Sequence, residues 1–196
     1  MSYTPYFKYK KKLRVIFLLF ILWIPERAGA GEDNISWIEL ETKHTIIKYQ
    51  SMKDLKSFDK NINYYPISSS DLEGFLSFSS GKKDIKEMVE GKVDALYRRV
   101  QDILGMRKPM KKMIINVFHN RRQLKDAFFR IYNKEGQFRA WYIYESNTIY
   151  INVDDVHEGM LAHEMAHSII DNYLIVRPPS ESAEILARYI DVHLLE

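Results

Sequence analysis

Two histidines stand four residues apart in "MLAHEMAHSIIDNY", Met160 to Tyr173, with a glutamate directly after the first. On an α-helix, side chains four apart share one face, with about 5–6 Å between Cβ atoms. His163 and His167 can therefore turn imidazole nitrogens toward one ion. Zinc takes such nitrogens at about 2.0–2.1 Å, and its catalytic sites usually combine three protein ligands with a water. Glu164 sits beside such an ion without ligating it, where a carboxylate can take the proton of a metal-activated water. This is the HExxH spacing, in which residue types and interval both have a mechanical reason. The plainer alternative is an amphipathic helix whose histidines occupy buried polar positions.

A third ligand has to come from another element. Past the break at Arg177-Pro178-Pro179 the chain reads "PSESAEILARYID". Two antiparallel helices joined by a short loop can bring a carboxylate of the second back to the histidine pair of the first. Glu184 and, one turn earlier, Glu181 are the candidates. Glu181 also suits charge complementation of the helix N-terminus, and Glu184 could be a solvated helix-face carboxylate.

"HEMAHSIID" followed by "PSESAEILARYID" resembles the gluzincin metallopeptidases, in particular the peptidase-MA-like domains. In these, an HExxH helix is followed by a helix of the form Pro-x-x-x-x-Glu-Gly-x-Ala-x-Tyr. Pro179, Glu184, Ala187 and Tyr189 keep that frame, while Ile185 stands where the family has glycine, a departure that bears on the width of the site. The resemblance covers mainly Thr148 to Leu194. It implies Zn2+ on His163, His167 and Glu184, with Glu164 as general base, and so selects Glu184 over Glu181. It also implies an edge strand beside the metal, where a peptide substrate can pair; "NTIYINV" is the expected strand.

Ligand histidines usually donate their second N–H to an acceptor. Asp171, four after His167 and matched by an aspartate in thermolysin-like enzymes, and Asp191, seven after Glu184 on the same helix face, are expected in that role. Tyr189 is expected to offer its O–H to the developing oxyanion, in competition with Tyr142, Tyr144 and Tyr150 and with a plain core position. His157 is expected to serve the first turn of the active helix. His44, His119 and His193 have no partner at ligand spacing and read as structural or exposed.

The elements that must hold these groups follow from periodicity. "SWIELETKHTIIKYQ" is β-branched and aromatic and predicts one or two strands. The Ser-, Asn- and Pro-containing stretch over residues 51–83 predicts short helices and loops. Apolar residues at intervals of three and four from Asp84 to Leu104 predict a helix stopped by Gly105. "KKMIINVFH" predicts a buried strand, and Asn120 a cap for a helix running to about Tyr132. "FRAWYIYESNTIYINV" predicts a hairpin turning near Ser146-Asn147. A helix from about Val156 to Leu174 and another from a Ser180 cap to about Leu194 complete the chain. The expected fold is a single α+β domain over residues 31–196. It has a small mixed sheet with an edge-strand hairpin packed on the zincin-type helices, and helices mainly on one side.

Residues 1–30 read as a secretory signal peptide: a basic start, an apolar run from Val15 to Ile24, then Ala28-Gly29-Ala30, with cleavage expected after Ala30. The run is about half of what a spanning helix needs, so no stable membrane span is expected after cleavage. Six of the 29 Lys/Arg and one of the 26 Asp/Glu lie in this segment. The remainder holds 23 and 25, a net charge of −2, which gives no reason to expect nucleic acid or an anionic membrane as partner. There is no cysteine, hence no disulfide and no lipoprotein anchor, and residues 31–196 must rely on their own core, which a metal can help but, at this length, need not.

The expected function is that of a secreted or periplasmic zinc peptidase acting on a peptide or protein. Two alternatives stand beside it. Two histidines and a carboxylate also describe non-haem iron sites, although the intrahelical Glu164 argues against one. A catalytically silent binding or assembly module is the other. The chain stops soon after the Glu184 helix, which leaves an open cleft or one completed by a protein partner.

Overall fold

The computed structural model describes residues 35–64 and 84–196. The expected signal peptide, its cleavage point and the part of the loop-rich stretch over 65–83 lie outside the described residues. What is described is an α+β fold of five helices and one five-stranded mixed sheet. In chain order the elements are β1 (Ile38–Glu41), β2 (Thr45–Tyr49), α1 (Met52–Asn61), α2 (Ile85–Leu104), β3 (Met113–Phe118), α3 (Arg121–Tyr132), β4 (Ala140–Ile143), β5 (Thr148–Asn152), α4 (Glu158–Tyr173) and α5 (Ser180–His193). None of these helices is long and apolar enough to cross a membrane.

The sheet order is β1-β2-β3-β5-β4. β1 and β2 form an antiparallel hairpin, β2, β3 and β5 run parallel, and β4 returns antiparallel to β5 at the edge. Side chains alternate between faces. On one face Ile47, Tyr49, Met113, Ile115, Val117, Ile149 and Ile151 join the main core with residues of α1, α2, α4 and α5. On the other, Phe118 and Trp141 pack against Leu124 and Ala127 of α3. Four helices on one face and one on the other is close to the expected arrangement.

Local chemistry sets the helix ends. Asp84, Asn120 and His157 each accept a backbone N–H of the first turn, and Gly105 closes α2 in the left-handed conformation (φ 66°). The expected cap at Ser180 is corrected: Pro179 holds the cap position without a side-chain bond, and Ser180 is the first helical residue. Proline's fixed φ, here −52°, already suits the start of a helix, so no capping side chain is needed.

The strand expected beside the metal is also corrected. "NTIYINV" becomes β5, which lies inside the sheet between β3 and β4, and its Thr148, Ile149, Ile151 and Asn152 are buried. A strand buried on both faces reads as a near-continuous apolar run, and this one does. The edge belongs to β4, with the sequence AWYI.

Candidate metal centre

Helix α4 carries the paired histidines, and it is the most enclosed helix of the fold. Leu161, Ala162, Met165, Ala166, Ser168, Ile169, Ile170 and Asp171 are all buried. A helix apolar nearly all round has to be covered on several sides. Here α2 and the sheet cover it, and α5 lies alongside. Between its two ends, a narrow strip stays partly open, and it holds His163, Glu164 and His167. The small residues Ala162 and Ala166 on α4 and Ala183 and Ala187 on α5 are buried in the same core and keep the two helices close.

That closeness brings in Glu184. Its Oε2 lies 3.6 Å from His163 Nε2 and 3.5 Å from His167 Nε2. One ligand atom from each of the three residues falls within 4.8 Å of the others. Two atoms bound to one tetrahedral zinc stand about 3.3 Å apart if each bond is about 2.0–2.1 Å, so the oxygen–nitrogen spacings fit the ion. Glu184, and not Glu181, belongs to this group.

Neighbouring groups orient these ligands. Asp191 lies 3.1 and 3.2 Å from His163 Nδ1, so the ring donates that N–H to Asp191 and leaves Nε2 toward Glu184. Arg188 Nε donates to Glu184 Oε1 at 2.8 Å, which leaves Oε2 for the histidine pair. This hydrogen bond, against the cost of burial and with help from the two imidazoles, lowers the Glu184 pKa and keeps it ionised. Burial first, then the neighbouring His163, lowers the pKa of His167, which favours the neutral ring a metal requires. Glu164 moves the other way: burial, reinforced by Glu184 and Asp191 and opposed by His163, pushes its carboxyl up to about 7. A carboxyl near neutrality is matched to proton transfer.

Two expected roles are corrected. Asp171 is buried, but its carboxylate receives Arg177 Nε at 3.3 Å, and it acts on His167 only through its charge. The competing partner is a full cation six residues on, a stronger draw than a neutral ring. Tyr189 does not line the cleft; it is 48 % exposed and stacks on His193 at 3.8 Å between ring centroids. Five residues after Glu184 on a helix is about 140° round the axis, away from the metal side. Of the tyrosines considered, Tyr142 lines the cleft. Burial first, then the charge of Asp171, raises its pKa, so the hydroxyl stays protonated. Tyr144 instead lies under Arg177, 4.5 Å from ring centroid to guanidinium carbon, and Tyr150 stacks on Trp141 on the opposite face of the sheet.

The remaining histidines take structural places. His157 accepts Met160 N–H as the cap of α4, as expected. His119 pairs with the buried Asp54 at 2.6 Å, His44 stacks on Tyr97, and His193 Nδ1 donates to Tyr189 O.

One residue without an expected role ties the site to the sheet. Asn147, at the β4–β5 turn with φ 48°, is buried, and its Oδ1 receives hydrogen bonds from Tyr142 Oη (3.2 Å), Ser168 Oγ (2.7 Å) and Asn172 Nδ2 (3.1 Å). Three donors from β4 and α4 thus converge on one turn amide. The sequence signal was the asparagine itself, the residue that best tolerates a left-handed turn position after glycine.

The cleft over the triad has a volume of about 490 Å³. Its walls are β4 (Ala140, Trp141, Tyr142), α4, the loop residues Arg177 and Pro178, and α5. A larger cavity, about 1060 Å³, is lined by Lys43, Arg98, Arg107 and Lys108 among others. Its lining includes His44, Asp102 and Glu196, but among the described residues the cluster of three potential metal ligands lies in the smaller cleft. No protein-family model, no curated protein and no solved structure matches the chain.

Proposed function

We propose that the protein is a secreted zinc-dependent peptidase of gluzincin type, hydrolysing peptide bonds in a peptide or protein substrate. The observation that carries the reading is the position of a single oxygen, Glu184 Oε2, within 3.6 Å of both imidazoles that the HExxH helix presents. Its support is the division of roles around it. His163, His167 and Glu184 form a donor set of two nitrogens and a carboxylate, the ligand types zinc takes. A bound zinc ion supplies Lewis acidity and a lowered pKa for water. Glu164, in the same cleft, takes a proton from the attacking water and passes it to the leaving amine. Asp191 and Arg188 hold the ligand side chains in register. Tyr142 is the cleft tyrosine among those considered; its O–H is given to Asn147 Oδ1, so the role first expected of Tyr189 would require it to leave that acceptor. The edge strand β4 borders the cleft and offers its unpaired backbone to an extended peptide.

The test combines metal analysis with hydrolysis. Protein purified without added metal is expected to carry one zinc per chain, and Glu184→Ala to lose it while Glu181→Ala keeps it. A mixed peptide library is expected to be cut, with cleavage abolished by a chelator and restored by zinc. Iron in place of zinc would move the protein to the non-haem class. Absence of chelator-sensitive cleavage would favour a binding module.

A further inference from the structure

Among the described residues, Arg177 is the one Lys or Arg in the lining of the cleft over the triad, and neither the proposed metal ligands nor the proton-transfer group employs it. Two contacts fix its guanidinium. Nε donates to Asp171 Oδ1 at 3.3 Å, and the side chain of Asp171 is only 4 % exposed. The guanidinium carbon lies 4.5 Å over the ring of Tyr144 on the hairpin. Pro178 and Pro179 follow at once and stiffen the backbone that carries it. An arginine held by one edge and one face is oriented before any ligand arrives, so less rotamer freedom remains to be lost on binding.

The guanidinium has five N–H donors, and Asp171 accepts from Nε alone. The side chain remains 54 % exposed, so donors are left for a ligand. Apart from Tyr142, the other ionisable side chains that line the cleft are three carboxyls, Glu164, Asp171 and Glu184, and the histidine pair, of which His163 faces the carboxylate of Asp191. Arg188 is turned to Glu184 and does not line the cleft. Among the described residues, Arg177 is therefore the permanent cation in the lining that a negatively charged substrate group can meet. The planar fork of arginine matches a carboxylate with two parallel hydrogen bonds.

We infer that Arg177 is a specificity-determining residue that binds a carboxylate of the substrate, so that the cleft favours peptides with a negative charge next to the bond it cuts. The inference rests on the peptidase reading. Two sources share this chemistry, the free C-terminal carboxylate of a peptide and an acidic side chain within it.

The experiment uses zinc-loaded protein carrying Glu164→Gln, so that binding is read by calorimetry without turnover. The probes are four hexapeptides of one sequence. Two have a free or an amidated C-terminus, and two, both amidated, have Glu or Gln at a central position. One acidic peptide is expected to bind at least about tenfold tighter than its neutral partner. The free-acid pair identifies the terminal carboxylate as the source, and the Glu/Gln pair the side chain. Adding Arg177→Gln is expected to bring the preference within about twofold while metal content stays the same. Because that substitution leaves Asp171 buried without its cation, Asp171→Asn/Arg177→Gln is measured beside it and is expected to behave alike. Arg177→Lys, which keeps the charge and loses the fork, is expected to keep part of the preference. Peptides bound without any acidic preference, or a preference that survives both Arg177→Gln proteins, would overturn the inference and leave the peptidase reading standing. Failure to bind any peptide, with no chelator-sensitive cleavage by the unaltered protein, would overturn both.

Discussion

Replacing Glu164 by glutamine separates what this residue does for the fold from what it does for the reaction, because the two effects have opposite signs. In the metal-free protein Glu164 keeps its proton to about pH 7, whereas in the unfolded chain it titrates near the ordinary 4.5. Between those values the folded state holds the additional proton, so stability falls as pH rises. The contribution is complete below pH 4.5 and gone above about 7. That interval, at about 1.4 kcal/mol per pH unit, amounts to about 3 kcal/mol for holding the ionised carboxylate in the cleft at pH 8. Glutamine has nearly the same shape and no charge to desolvate. Glu164→Gln is therefore expected to stabilise the metal-free protein at pH 8 by up to about 3 kcal/mol, a rise in Tm of about 6–12 °C for a domain of this size. At pH 4.5 the two proteins should melt together.

The pH dependence of His167 runs the other way and does not confuse the comparison. Its lowered pKa means that the unfolded chain takes up a proton below 6.5 which the folded protein refuses, so this contribution to stability grows as pH rises through that window. The groups that perturb His167 are its burial, His163, Glu184 and Asp171; Glu164 is not among them, so the effect is common to both proteins. Thermal and urea denaturation of chelator-treated protein from pH 4.5 to 8.5 gives the difference directly. Equal stability at pH 8, or a gap at pH 4.5 as large as that at pH 8, would refute the assignment of a desolvated carboxyl at this position. Loaded with zinc, the same variant is expected to keep its metal and lose about a hundred- to ten-thousand-fold in kcat/KM. A gain in stability joined to a loss of rate is what a strained active-site charge produces.

Three further outcomes follow from the surroundings of the triad. Asp191→Ala removes the acceptor of His163 Nδ1–H and is expected to weaken zinc binding about 10- to 100-fold in a competition titration against a chelating dye, with the melting curve of the metal-free protein little changed. Asn147→Ala leaves three donors facing a missing oxygen and puts a Cβ-branch-free but non-amide residue at φ 48°, so it is expected to destabilise by about 2–4 kcal/mol in urea; Asn147→Gly, which relieves the backbone alone, should recover a minor part. Ala187→Leu overfills the fully buried seam between α4 and α5, with an expected cost of about 1–3 kcal/mol and a lowered zinc affinity as Glu184 is pushed from the histidines; unchanged affinity would show that the metal does not depend on that spacing.

What the sequence disclosed of this site follows the range over which each feature is determined. His163, Glu164 and His167 were legible because a helix fixes residues four apart by local geometry alone, and the caps at Asn120 and His157 are equally local. Asp191 was legible as a consequence of Glu184, seven residues earlier on one helix face, once a resemblance had selected that glutamate. The same helical period should have excluded Tyr189, which stands about 140° from Glu184, so that error came from carrying a family frame past the geometry. The edge strand was not legible in this way: AWYI is at least as apolar as TIYIN, and the assembled sheet puts the first at the edge and the second inside. Asp171 and Arg177 differ in principle. A carboxylate four residues after a ligand histidine has the spacing to reach it, and nothing local says that a loop arginine will take that carboxylate first. The loop folds back because the α4–α5 seam, the β4–β5 turn and the Tyr144 ring are all in place, which is a property of the assembled domain. The histidine pair can therefore be read from spacing and Glu184 from the resemblance, whereas the group inferred to select the substrate depends on tertiary closure, and variants that loosen the seam without touching a proposed ligand should lose selectivity before they lose metal.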